Sequence, residues 1–154
     1  MSEFIDELTA ALESALGVDL TEQSTALLAS LEALDTEIAD QIAQLESCEM
    51  ITGHDELGYF ADRYGCELIG AVVPSASTSA EASAQQLAEL KELVEEHNVK
   101  AIFTSLGTPQ KVAEQVANET GVPLVELSTH VMGESDTYAE FMRLLVDDVV
   151  NALS

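Results

Sequence analysis

Apolar positions at the start of the chain recur every three to four residues. Phe4, Ile5, Leu8, Leu12 and Leu16 form one such series, which predicts a helix stopping at Gly17. Leu27, Leu31, Leu34, Ile38, Ile42 and Leu45 form a second, predicting a long helix over about 20–46 with Asp19 as its cap. At 1.5 Å per residue this helix is ~40 Å long, more than a small domain needs, and it reads as a strut. From Glu49 the pattern changes. Short apolar runs (Met50-Ile51-Thr52, Leu68 to Val73, Ala101-Ile102-Phe103, Val122 to Leu127) alternate with helical periods at about 55–64, 80–97, 109–119 and 136–153. The chain is therefore expected to be α/β: a four-stranded parallel sheet in the order 2-1-3-4 with helices on both faces, preceded by a short helix and a long strut helix. Residues 1–47 form the helical part and 48–154 the α/β part. The turns agree: Thr108-Pro109 opens a helix, while Gly65 and Gly121 close helices in the left-handed conformation. Ser75 to Ser79 reads as a short polar loop.

An open parallel sheet binds ligands at the carboxyl ends of its strands. The residues there are Gly53-His54-Asp55, Pro74-Ser75, Thr104-Ser105-Leu106-Gly107 and Ser128-Thr129-His130. Two of the three histidines thus fall on the ligand edge. His54 directly precedes the predicted helix at 55–64, with Asp55 as that helix's cap. It reads either as a zinc ligand, since neutral imidazole suits zinc, or as a hydrogen-bonded loop histidine. His97, at a helix C-terminus, complements the helix dipole. No nucleophile elbow, phosphate-binding glycine loop or His-Glu-x-x-His is present, so a binding protein is expected rather than an enzyme. Cys48 and Cys66 have neither the number nor the spacing of a disulfide framework or a zinc knuckle. Cys66, following Gly65 at the start of an apolar run, reads as a buried free thiol. Both cysteines lie near strand starts, the wrong edge to pair with His54.

Composition changes the picture mainly through charge. Apolar residues make up 47% of the chain, enough for a core, but aromatics are only 5% and Trp is absent, so that core is aliphatic. Twenty-nine acidic residues face five basic ones, a formal net charge of -24. Nucleic acid and anionic membrane are excluded as partners by repulsion. The acids are spread through the helices, which reads as a solvated acidic surface of halophilic type, with a dedicated cation-binding patch as the alternative. No apolar stretch approaches membrane-spanning length, and Met1-Ser2-Glu3 lacks a signal-peptide core, so a soluble chain without an export signal is expected.

The run His54-Asp55-Glu56-Leu57-Gly58-Tyr59-Phe60-Ala61, then Arg63-Tyr64-Gly65, resembles the His-Asp-Ala-Phe-Gly-Tyr-Phe motif of the zinc/manganese solute-binding proteins of ABC importers. The likeness continues through Leu68-Ile69-Gly70, Glu81-Ala82-Ser83, Asn98 to Thr104, Glu119-Thr120-Gly121, Asp136-Thr137-Tyr138 and Phe141-Met142, covering about residues 20 to 153. The resemblance implies the C-terminal lobe of such a protein, with the long helix joining two lobes. It implies an extracytoplasmic or cell-surface location and a membrane permease as partner. In that family two histidines of the N-terminal lobe, outside this match, join two C-terminal-lobe ligands around the metal. His54 matches the third ligand, and histidine there points to zinc rather than manganese. The fourth is an acidic residue just after the last strand, where the alignment from Gly121 places Ser128. Glu126 and His130 lie two residues to either side and share its facing if the strand continues, which makes His130 the candidate substitute. Ser105 also stands where the family commonly has an acidic residue after Phe-Thr. A degenerate lobe that no longer binds metal and serves as an interaction module is the alternative.

If the acidic excess is a solvation device, the melting temperature rises between low and molar KCl as like-charge repulsion is screened. An unchanged thermal melt across that range is the contrary result.

Overall fold

A computed structural model describes residues 2–54, 56–73, 84–105, 111–129 and 135–154. Pro74, Ser75 to Ser79, Glu81 to Ser83, Leu106 to Pro109 and His130 lie outside the described residues. The elements run α1 (Ser2–Leu16), α2 (Thr21–Ile42), β1 (Glu49–His54), α3 (Gly58–Tyr64), β2 (Glu67–Val73), α4 (Ala84–Glu96), β3 (Ile102–Ser105), α5 (Lys111–Thr120), β4 (Leu124–Leu127) and α6 (Tyr138–Leu153). The chain divides into two compact units, Met1–Asp40 and Gln41–Ser154.

In the first unit α1 ends where the sequence predicts, at Gly17 with φ 67°. Its apolar series is not buried as the periodicity suggests: Ile5 is, but Phe4, Leu8, Leu12 and Leu16 are exposed. The carboxylate of Asp19 accepts from the Thr21 backbone N–H at 3.0 Å, a bond that holds its carboxyl below the usual range. α2 stops at Ile42, about four residues short of the expected end, and at 22 residues is ~33 Å long. Its end unwinds through i→i+3 bonds, Gln44 N–H to Gln41 O and Leu45 N–H to Ile42 O. No helix among the described residues is long and apolar enough to cross a membrane.

The second unit is the expected α/β sheet, all parallel, in the order β2-β1-β3-β4. β1 is the second strand in the chain's spatial order and pairs on both sides, Thr52 with Ala71 of β2 and with Phe103 of β3. Alternation divides its buried residues between two faces. Ile51, Val72 and Ile102 form one core with Leu90 and Val94 of α4 and Ala113 and Val116 of α5. Gly70 permits α4 to come close, because a Cβ there would lie 3.3 Å from Leu90 Cδ1. Met50, Thr52, Phe103 and Leu127, of opposite parity, are fully buried on the other face. α6 buries Leu145, Val146, Val149 and Leu153, and it opens with a capping box between Thr137 and Glu140. Gly65 and Gly121 close α3 and α5 at φ 74° and 75°, as their positions predict.

The cysteines correct the sequence reading. Cys48 and Cys66 form a disulfide with Cα atoms 4.6 Å apart, and Cys66 is half-buried, not a buried free thiol. The reason is strand pairing. Glu49 lies opposite Glu67, and Glu67 N–H donates to Cys48 O at 2.8 Å, which places the two preceding residues side by side. Two cysteines 18 residues apart show this only once the register of β1 against β2 is known. They do lie at strand starts, away from His54.

A disulfide closing a loop of this length contributes about 3 kcal/mol by restricting the unfolded chain. Cys48→Ser with Cys66→Ser, or reductant alone, should lower the unfolding free energy by that amount and move the urea midpoint down accordingly. An unmoved midpoint would mean the strand starts are held by the sheet alone.

Candidate metal centre

β1 carries His54 at its last position, paired with Val73 of β2. β3 ends beside it at Ser105, and β4 ends at Leu127 just before Ser128 and Thr129. The three carboxyl ends are therefore contiguous. β1 and β3 come unusually close there, since a Cβ on Gly53 would lie 2.9 Å from Thr104 Oγ1. Thr104 is buried, so it has little room to yield.

The chain does not enter α3 directly after His54, as the sequence reading expects. α3 begins at Gly58, and its N-cap is Leu57 in the left-handed conformation at φ 63°, with no side-chain capping bond. Asp55, the expected cap, lies outside the described residues. A left-handed, non-glycine residue at this point is a local strain, of the kind that persists where the surroundings demand it. Glu56, the residue before it, lies against the strand ends.

Glu56 joins the strand ends. Its side chain is only 8% exposed. Ser105 Oγ donates to Glu56 Oε2. Thr129 Oγ1 lies 2.9 Å from Ser105 Oγ and 3.3 Å from the same carboxylate oxygen. His54 Nε2 is 3.7 Å from Glu56 Oε2, and the His54 side chain is 25% exposed. One nitrogen and one oxygen donor, backed by two hydroxyls, thus converge where β1, β3 and β4 end. An open depression of about 460 Å³ lined by Glu56, Leu57, Gly58, Tyr59 and Asp62 adjoins the carboxylate. Among the described residues no three His, Cys, Asp or Glu side chains gather in metal-binding geometry.

The other predicted residues distribute as follows. Ser128 is half-buried just beyond β4, and Glu126 is exposed on the strand. Because β4 ends at Leu127, strand alternation places Glu126 but nothing beyond it. Thr129, not Ser128, is the residue after β4 that joins Glu56. His97 sits past the end of α4, as predicted, with Nδ1 3.6 Å from Glu49 Oε2 at the opposite edge of the sheet. Glu56 and Thr129 were missed. A signal for Glu56 was present: an acid stands where the motif has Ala, and Ser105 stands where an acid is common. The two departures are complementary, but only the contact between them makes that apparent.

A solute-binding-type α/β lobe with imidazole and carboxylate at its ligand edge defines a class, and comparison with known proteins specifies it. The family model described as "Zinc-uptake complex component A periplasmic" matches residues 1–152, and the chain belongs to that family. It is 34% identical over 108 residues to the high-affinity zinc uptake system protein ZnuA of Bacillus subtilis, covering 70% of this chain and 33% of that protein. It is 29% identical over 148 residues to the zinc-binding protein TroA of Treponema pallidum, covering 88% of this chain and 47% of that protein. Among solved structures, the laminin-binding adhesin Lmb of Streptococcus agalactiae, in a mutant form, superimposes with a TM-score of 0.81 at 26% identity, over 97% of this chain and 56% of that one. The periplasmic zinc-binding protein TroA of Treponema pallidum does so at 0.77 and 26%, over 99% and 57%. The chain spans a third to about half of the length of these two sequence relatives.

Gly53→Ala tests the close approach that seats His54. Forcing a methyl against Thr104 should destabilise the fold by about 1–3 kcal/mol in urea unfolding. A wild-type midpoint would show that β1 and β3 separate there without cost.

Proposed function

We propose that this chain binds zinc as cargo, as the C-terminal lobe of an ABC importer's solute-binding protein. The observation that carries the proposal is the position of His54. It stands at the carboxyl end of β1, partly open to solvent, within the motif that likens the chain to zinc/manganese solute-binding proteins. A neutral imidazole there suits zinc. Relatives named for zinc uptake or zinc binding support the choice of metal, although manganese-binding lipoproteins also match, at 25% identity for MntA of Halalkalibacterium halodurans. On this reading residues 48–154 are the metal-binding lobe and residues 1–47 carry the helix that joins it to a second lobe. His130, the residue after Thr129, is the proposed second imidazole in place of the acid expected at Ser128. A second lobe supplies further ligands, and a membrane permease receives the ion. The role is transport rather than catalysis. The Cys48–Cys66 bond supports an extracytoplasmic location, because disulfides persist in oxidising compartments.

One or two protein ligands leave much of the tetrahedral shell to water, so the 154-residue chain alone should bind weakly. Calorimetry with zinc in molar KCl, where loose binding to surface carboxylates is screened, compares the parent with His54→Ala and His130→Ala. His54→Ala should weaken binding at least about tenfold, and His130→Ala by a similar factor. If His54→Ala binds as the parent does, the chain is a degenerate lobe and acts as an interaction module. If only His130→Ala is silent, His54 acts without it.

A further inference from the structure

We infer that Glu56 is a direct zinc ligand, and that it replaces within this chain the carboxylate lost from the strand ends. The inference rests on the metal-binding reading above and names a donor that the motif does not contain.

Geometry is the first argument. The His54 Nε2 to Glu56 Oε2 distance of 3.7 Å is too long for a hydrogen bond. It is near the separation of two donors on one ion: atoms about 2.0–2.2 Å from a tetrahedral zinc lie about 3.3–3.6 Å apart. A shift of a few tenths of an ångström brings both onto a shared metal. The second argument is burial. A carboxylate 8% exposed is costly unless satisfied, and the partners of Glu56 among the described residues are the Ser105 and Thr129 hydroxyls and the His54 imidazole. Hydroxyl donors orient a carboxylate but bring no positive charge, which a divalent cation beside Oε2 supplies. Carboxylates that bind metals are typically held in this way by outer hydrogen bonds. The third argument is the pair of departures. Glu56 stands at the motif's Ala position and Ser105 where an acid is common after Phe-Thr, and the Glu56 carboxylate is bonded to the Ser105 hydroxyl. Glu126, on the neighbouring strand β4, is by contrast exposed.

The test is zinc titration in molar KCl of the parent chain, His54→Ala and Glu56→Gln, with an apo thermal melt of each to confirm folding. Glu56→Gln keeps the size and a hydrogen-bond acceptor but removes the charge. Both variants should bind zinc at least about tenfold more weakly than the parent. If Glu56→Gln binds normally while His54→Ala is weakened, Glu56 is not a ligand and the metal-binding reading stands alone. If neither variant differs from the parent, both readings fail. Weakening in Glu56→Gln but not in His54→Ala overturns the shared ion. A crystal structure of the parent with zinc, read by anomalous scattering, decides independently of any variant's folding. Zinc within about 2.2 Å of both His54 Nε2 and Glu56 supports the inference. Zinc on His54, with Glu56 still bonded only to Ser105 and Thr129, overturns it.

Discussion

The structure depends on the parallel pairing of β1 with a neighbour on each side. β1 carries chemistry at both ends: Cys48 just before it and His54 at its close. Pairing with β2 aligns Cys48 with Cys66, and pairing with β3 brings Gly53 against Thr104 and the His54 edge against Ser105. Both contacts with Ser105 and Thr129 follow, because β3 in turn fixes β4 through the register Ser105 with Leu127. A slip of one residue in β1 would invert the faces of Met50 and Ile51 and expose one of two cores.

The two edges of the sheet are held by different forces. At the strand starts Glu49 and Glu67 lie directly opposite one another, a like-charge pair that disfavours the register. The adjacent disulfide is covalent and indifferent to charge, and His97 beside Glu49 offers a polar partner. At the strand ends no covalent tie is present among the described residues. The left-handed Leu57 and the Glu56 carboxylate are local costs, the second offset by the Ser105 and Thr129 hydroxyls that converge on it. Strain and a carboxylate thus stand at the strand ends, and the staple at the strand starts.

A net charge of -24 sets the electrostatic background. It attracts any divalent cation weakly and without selectivity. On the proposed reading, selectivity has to come from geometry and donor softness, an imidazole with an oriented carboxylate, which scattered surface acids do not reproduce.

Much of this was legible along the chain. Period-two and period-3.6 patterns determined which segments are strands and helices. Short β-α-β connections determined a parallel sheet, and with it the edge on which His54 lies, because strand ends are a property of chain direction. Gly65 and Gly121 marked helix ends through a conformation few other residues adopt. Three things were decided only by tertiary structure. The Cys48–Cys66 bond depends on the register of the two neighbouring strands, which no spacing encodes. The exposure of Phe4, Leu8, Leu12 and Leu16 depends on what packs against α1, not on its periodicity. The meeting of Glu56 with Ser105 and Thr129 joins residues 49 and 73 positions apart through a left-handed turn at Leu57. Local patterns record the forces between near neighbours in the chain; contacts at such range exist only once the sheet has closed the distance.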